Sequence, residues 1–239
     1  MESLLRRVDA AWAEDLGCSV DLLHAPGAHL VPGGADLAGY RGLYMARFDG
    51  VVLVYSPPSH EAAARRVLLN AAPDEVFSVR SCQRMAGAEG LVVLGPAWHG
   101  FVDVAAFRPV EDANGQRVKR EGPELEVLRQ ACPENEWLEA GFGDPDGICY
   151  GLREGSNLVA AGNMTSYRGM PADVGVITHP AFRHRGHARR LVSYMTTDQL
   201  PAAGVVRYRA LQANRGSLAI ARSLGFIGRG ENLAIRLRS

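Results

Sequence analysis

The sequence predicts a mixed α/β protein of two domains. Helix-period and strand-period segments alternate in its second half, in the order hairpin, strand, helix, strand, helix, strand. The 239 residues are 47% apolar and 22% charged, the balance of a folded chain with a sizeable core. The 27 Gly and 13 Pro are dispersed, which excludes a collagenous or low-complexity chain.

Each element has its own signal. Leu4, Leu5, Val8, Ala11, Trp12 and Leu16 recur at helical spacing over residues 3–16. Gly42 to Tyr55 holds two apolar segments joined by Asp49-Gly50, a two-residue hairpin signal. Ser59, after Pro57-Pro58, is the expected cap of a helix from Glu61 to Asn70. Leu91 to Leu94 reads as a short buried strand. The turn-rich stretch Glu111-Asp112-Ala113-Asn114-Gly115-Gln116 places the domain boundary, giving a smaller α/β domain at 1–110 and a second domain at 111–239.

The second domain opens with a helix at Glu124–Ala131. Strands follow at Ile148–Leu152 and Leu158–Met164 around the Glu154-Gly155 turn, then at Asp173–Thr178. Ala188–Leu200 is a helix, Val205–Leu211 a strand and Ser217–Leu224 a helix with Gly225 after it. Leu233, Ile235 and Leu237 alternate with Asn232, Ala234 and Arg236 in a last half-buried strand. Both halves order hairpin, strand and helix similarly, which is compatible with two diverged copies of one fold.

Between the third strand and its helix runs Thr178-His179-Pro180-Ala181-Phe182-Arg183-His184-Arg185-Gly186-His187-Ala188-Arg189-Arg190. A strand entering a helix through such a turn aims free backbone N–H groups at one point. Gly186 and the small Ala188 let a bulky anion approach. Four Arg and three His lie here, and no acid stands between His179 and Thr197. These features describe a pyrophosphate cradle. Neither the Walker pattern nor G-x-G-x-x-G is present.

Arg183-x-x-Gly186-x-Ala188 resembles the Q/R-x-x-G-x-G/A acyl-CoA loop of the GNAT N-acetyltransferase superfamily. Val174 to Pro180 resembles that family's splayed central strand and its exit. Asn214-Arg215-Gly216-Ser217 with Leu224-Gly225-Phe226 resembles its N-x-x-S/A…L-G-F segment. The resemblance covers roughly residues 116–239. It implies a GNAT-like mixed sheet whose central parallel strands splay apart; the smaller N-terminal domain before it would either cover one side of the acceptor site or be a degenerate GNAT-like copy that no longer binds CoA. It also implies acetyl-CoA as cosubstrate, with the backbone of Val176, Ile177 and Thr178 along the pantetheine arm. Residues Arg183, His184, Arg185, Gly186, His187, Ala188 and Arg189 would hold the pyrophosphate, with Asn214 and Ser217 also on the cofactor.

One departure concerns the acid. Relatives often carry a Tyr seven residues after that Asn to protonate the leaving thiolate; here the position is Ala221. Tyr208, Ser217 or water would substitute. Candidates for the general base are Asp173, His179 and Glu139, with Asp173 one residue out of register for the site face of a regular strand. Residues 121–146 hold eight acids against one basic residue, Arg129, which describes either a wall attracting a cationic amine or a solvated helix face. Trp137 and Phe142 belong to that wall or to the core.

Charge and composition exclude several classes. The 26 basic and 26 acidic residues cancel, so no overall field favours nucleic acid or anionic membrane. Four Arg beside the His cluster disfavour a metal. Apolar runs such as Val51–Tyr55 are too short to span a bilayer, and the start lacks the order of a signal peptide. Cys18, Cys82, Cys132 and Cys149 are too scattered for a zinc or redox motif, as expected of free cytoplasmic thiols. Of the basic residues only Lys119 is not Arg, the coding bias expected of a GC-rich bacterial genome. The expectation is a cytoplasmic acyl-CoA-dependent N-acyltransferase acting on an amine, with transfer to an alcohol or aminoacyl acceptor and a non-catalytic acyl-CoA-binding module as alternatives. The sequence leaves the oligomeric state, a homodimer included, open.

Overall fold

The computed structural model describes residues 2–87, 91–143, 145–167 and 170–237, without the side chains of 91, 167 and 170–173. In chain order the elements are α1 (Glu2–Leu16), β1 (Gly27–Val31), β2 (Gly42–Phe48), β3 (Val51–Tyr55), α2 (Glu61–Leu69), α3 (Pro73–Val76), α4 (Val79–Ala86) and β4 (Leu91–Val102). There follow β5 (Gln116–Arg117), α5 (Pro123–Ala131), α6 (Glu134–Glu139), β6 (Ile148–Glu154), β7 (Asn157–Tyr167) and β8 (Met170–Thr178). The last are α7 (His187–Ala203), β9 (Val206–Leu211), α8 (Arg215–Ser223) and β10 (Ile227–Leu237).

The chain divides into two compact units, but not by a single cut. The first comprises Met1–His99, Ala210–Asn214 and Gly228–Ser239; the second comprises Gly100–Arg209 and Arg215–Ile227. The C-terminal strand therefore belongs with the N-terminal region. Its apolar alternation requires a partner face, and β2 supplies it: β10 pairs antiparallel with β2, Leu233 opposite Met45 and Ile235 opposite Leu43.

In the first unit the Asp49-Gly50 turn joins β2 and β3 as expected, and β1 lies parallel to β3 on its other side. Val67, Val76, Cys82 and Met85 of the helices pack on this sheet with Leu43, Met45, Val52 and Val54. Trp12 of α1 donates its Nε1 proton to the Arg229 carbonyl at 3.0 Å. A buried pair, Arg229 Nε to Asp9 Oδ1 at 2.6 Å, closes the same seam. Ser59 is not a helix cap. A 3-10 turn, Pro58–His60, precedes α2, and the Ser59 hydroxyl bonds His60 Nδ1 at 2.8 Å.

In the second unit, strands β5-β6-β7-β8 form a sheet with helices on both faces. Leu125, Leu128 and Trp137 of α5 and α6 cover Cys149, Ala161 and Ile177. On the opposite face α7 lies so close to β7 that a Cβ on Gly162 would run into Met195. Residues Leu158–Met164 of β7 are consequently all buried, a run with no polar alternation. Trp137 and Phe142 stack at 4.2 Å inside the α5–α6 cluster, which assigns both to the core.

The strand after α7 does not extend this sheet. β8 ends the four-stranded sheet, and β9 ends the other, whose order is β1-β3-β2-β10-β4-β9. β8 and β9 are therefore not neighbours in one sheet. Among the described residues no helix is long and apolar enough to cross a membrane.

Candidate functional site

The site is built on the exit of β8. Its ladder with β7 contains a bulge: Ala172 faces Thr165 and Gly175 faces Asn163, so β8 carries an extra residue there. The Asp173 side chain itself lies outside the described residues. Just past the bulge, a Cβ on Gly175 would collide with the carbonyl of Ala140, the residue that ends α6. Gly175 is what lets α6 sit on the strand.

After Thr178 the chain turns through a 3-10 segment, Pro180–Phe182, capped by His179. The Ala181 N–H donates to His179 Nδ1 at 3.2 Å, and the imidazole meets the Phe182 ring edge-on at 5.4 Å. The Nδ1 lone pair is therefore committed to a cap, which weakens His179 as a general base. Arg183 also differs from expectation. Its Nε donates to the Thr178 carbonyl at 3.2 Å, and its Nη2 to Glu136 Oε2 at 2.6 Å. The guanidinium faces α6 rather than the open loop.

The loop then takes two left-handed residues, His184 at φ 64° and Gly186 at φ 81°. His184 is the sole non-glycine residue with positive φ among those described. Such turns direct successive N–H groups into one concavity. Nothing lies within 4 Å of where a Gly186 Cβ would stand, so the space in front of it is open. Gly186 starts the 17-residue helix α7 without a side-chain cap, and no acid occupies the first turn. The first intrahelical bond is Arg190 N–H to the Gly186 carbonyl at 3.1 Å, leaving the amides of His187, Ala188 and Arg189 without an intrahelical acceptor.

The side chains around these amides divide sharply. His184 and Arg185 are exposed beside the loop. His187 was expected among the anion contacts, but its imidazole is fully buried. Its Nδ1 accepts from Arg190 Nη2 at 2.6 Å. Its Nε2 stands 3.1 Å from Glu154 Oε1 but out of line for a hydrogen bond. Burial holds this imidazole below its usual pKa; Glu154 opposes the shift, while Arg190 and Arg185 reinforce it. Arg189 donates from Nε to Ser223 Oγ at 3.0 Å, binding α7 to α8. The loop can hold a polyanion on backbone amides, with Arg185 beside it, exposed but lying over the Phe182 ring and 3.9 Å from Glu154.

Two groups proposed for proton transfer come together. Tyr208 on β9 is buried and its phenol is hydrogen-bonded with Ser217 of α8. Burial pushes the phenol up to about 12, with Ser217 opposing. Asn214 is exposed in the turn just before α8. Glu139 is exposed at the end of α6. Four of the eight acids of the stretch are in ion pairs, Glu124 with Arg153, Glu126 and Glu134 with Arg129, and Glu136 with Arg183. Among the described residues no three His, Cys, Asp or Glu side chains converge as a metal site would require.

Residues 116–226 match the model of the acetyltransferase (GNAT) family. The C-terminal half carries a GNAT-family domain. An acetyltransferase of this family from Colwellia psychrerythraea shares the fold, with a TM-score of 0.50 at 12% identity over 77% of this chain and 76% of its own. A GNAT-family structure from Novosphingobium aromaticivorans gives 0.47 at 20% identity over 63% and 69%. No curated protein matches the sequence significantly. Within the GNAT domain, Ala221 is completely buried on α8. The position where the sequence resemblance expects a Tyr therefore faces packed side chains.

Proposed function

We propose that the GNAT domain is an acyl-CoA-dependent N-acyltransferase, transferring acetyl to an amine of a small molecule or peptide. The observation that carries this reading is the β8–loop–α7 unit. A strand with one edge unpaired among the described residues leads into two left-handed turns and a helix start whose first amides lack an intrahelical acceptor and meet no acid in the first turn. The strand edge suits an amide-bearing arm, and the amides of His187, Ala188 and Arg189 suit a pyrophosphate. Val176, Ile177 and Thr178 line the first, with His184, Arg185 and Gly186 beside the second.

The chemistry proceeds by direct attack. An ammonium acceptor first loses a proton to a base or to water. The neutral nitrogen then attacks the thioester carbonyl, forming the C–N bond while a strand N–H near Ile177 or Thr178 stabilises the oxyanion. Collapse breaks the C–S bond, the nitrogen loses its second proton, and CoA leaves as thiolate. A thiol pKa near ~8.5 makes that thiolate an acceptable leaving group near neutral pH. Water then protonates the thiolate, directly or relayed through the Ser217 hydroxyl, which takes a proton from solvent as it gives one; Tyr208, held up at about 12, stays protonated through the working range. Of the bases, Glu139 is the exposed carboxylate and His179 the capped imidazole.

Buried Ala221 favours a second reading, a domain that binds acyl-CoA without turnover. Incubation with acetyl-CoA and a panel of amines, with free thiol as readout, separates the two. Thiol release that requires an amine supports transfer. Saturable CoA binding without release supports the binding module, and absence of binding removes both.

A further inference from the structure

A residue with a side chain holds left-handed backbone only where its surroundings over-determine it. His184, at φ 64°, is exposed and sits in the middle of the anion loop. What fixes it on the strand side is the preceding residue. The Arg183 guanidinium donates to the Thr178 carbonyl at 3.2 Å and grips both Glu136 oxygens, at 2.6 and 3.5 Å. The thiol of Cys132, which caps α5, lies against the same group. One side chain thus joins the end of β8, α6 and the end of α5. On the other side the loop is continuous with α7.

We propose that Glu136 and Arg183 are a positioning pair: Glu136, acting through Arg183, holds the loop in its anion-binding conformation, and Arg183 is not itself a phosphate ligand. The inference rests on the acyl-CoA reading of the site and deepens it. Its discriminating feature is the sign of the Glu136 effect. If Arg183 bound phosphate, Glu136 would be a competitor, and neutralising it would free the guanidinium and tighten binding. A positioning pair gives the opposite sign, because either loss releases the loop.

The test uses the full chain as wild type, Glu136→Gln, Arg183→Gln, the double variant and Glu136→Asp. CoA affinity is measured by calorimetry, and amide exchange at residues 184–190 without CoA. Each neutralising variant should weaken CoA binding by about three- to tenfold, the scale for a half-exposed coupled pair. The double variant should be no weaker than the worse single. Loop amides should exchange faster by a common factor in all three, and Glu136→Asp should restore most of the affinity and protection. Tighter or unchanged binding in Glu136→Gln, with weaker binding in Arg183→Gln, overturns the proposal. Failure of the wild type to bind CoA would defeat the acyl-CoA reading instead. Exchange then decides the pair alone, unchanged loop protection in Glu136→Gln overturning it. Should a single variant fail to fold, the charge swap Glu136→Arg with Arg183→Glu replaces it, and the pair stands only if loop protection returns.

Discussion

Two strand-to-helix connections in this molecule start alike and end differently. β3 and β8 each lead into a proline-initiated 3-10 turn, Pro58–His60 and Pro180–Phe182. After the first, α2 begins at once with Glu61, which pairs with Arg65 one turn on. After the second come four more residues, two of them left-handed, before α7 begins with no acid in its first turn. The strands differ as well. β3 is paired on both sides, with β1 and β2, whereas among the described residues β8 is paired on one side and ends its sheet. An anion needs amides without intrahelical acceptors and unopposed by a carboxylate, and an extended arm needs a free strand edge. Only the second connection offers both.

The sharpest way to break that comparison is Gly186→Glu, which sets a carboxylate in the open space before the α7 amides. CoA binding should fall more than about a hundredfold by calorimetry, as expected for losing several charge-assisted contacts. The fold should persist, because the left-handed backbone costs a side chain about 1–2 kcal/mol. Gly186→Ala carries the same backbone cost without the charge and should retain most of the affinity. Equal affinity in Gly186→Glu would remove the loop from the site.

Next in size is Ala221→Tyr. Ala221 is buried without space, so a phenol there should destabilise by about 1–3 kcal/mol through overpacking, read as a lower Tm. An unchanged Tm with faster thiol release would mean that α8 opens onto the cleft after all.

The two helix starts should also differ in acid sensitivity. His187 begins α7 buried and neutral, with a folded pKa below its unfolded value near 6.5. Below that pH the unfolded chain takes up a proton that the folded chain resists, so stability should fall as pH drops from about 6.5. The slope cannot exceed about 1.4 kcal/mol per pH unit for one proton. Tm measured from pH 8 to 5 should show this decline in the wild type and a shallower one in His187→Gln. Parallel curves would place the acid sensitivity elsewhere.

The smallest effect is expected in the first connection. Ala62→Glu adds an acid to the exposed first turn of α2 and should leave CoA affinity within about twofold. The full chain is required, because a fragment ending near residue 110 would lack β10, the partner of β2. A large loss would reveal an anion site in the first unit.

Much of this arrangement was legible in the residues. The alternation of apolar periods located the strands and helices of the second unit to within a few residues. Arg183-x-x-Gly186-x-Ala188 marked the loop, and Asp49-Gly50 marked the hairpin. Short elements escaped: α6 has six residues, too few for a helical period to show, and β1 has five without clear alternation. The bulge between β7 and β8 also escaped, because an extra residue leaves no mark in a pattern of alternating side chains.

The sequence by itself determined the local chemistry: which turn needs a glycine, which helix start is free of acid, and which strand has apolar residues on both faces. These follow from backbone sterics and side-chain type, properties each residue carries wherever it lies. Tertiary structure decided who meets whom. It turned Arg183 toward Glu136 and buried His187, and it brought Tyr208 to Ser217 and joined β10 to β2. Arg183 and Glu136 are 47 residues apart. Pairings at such distances depend on how elements pack together, and the linear pattern of charge and hydropathy does not encode that packing residue by residue.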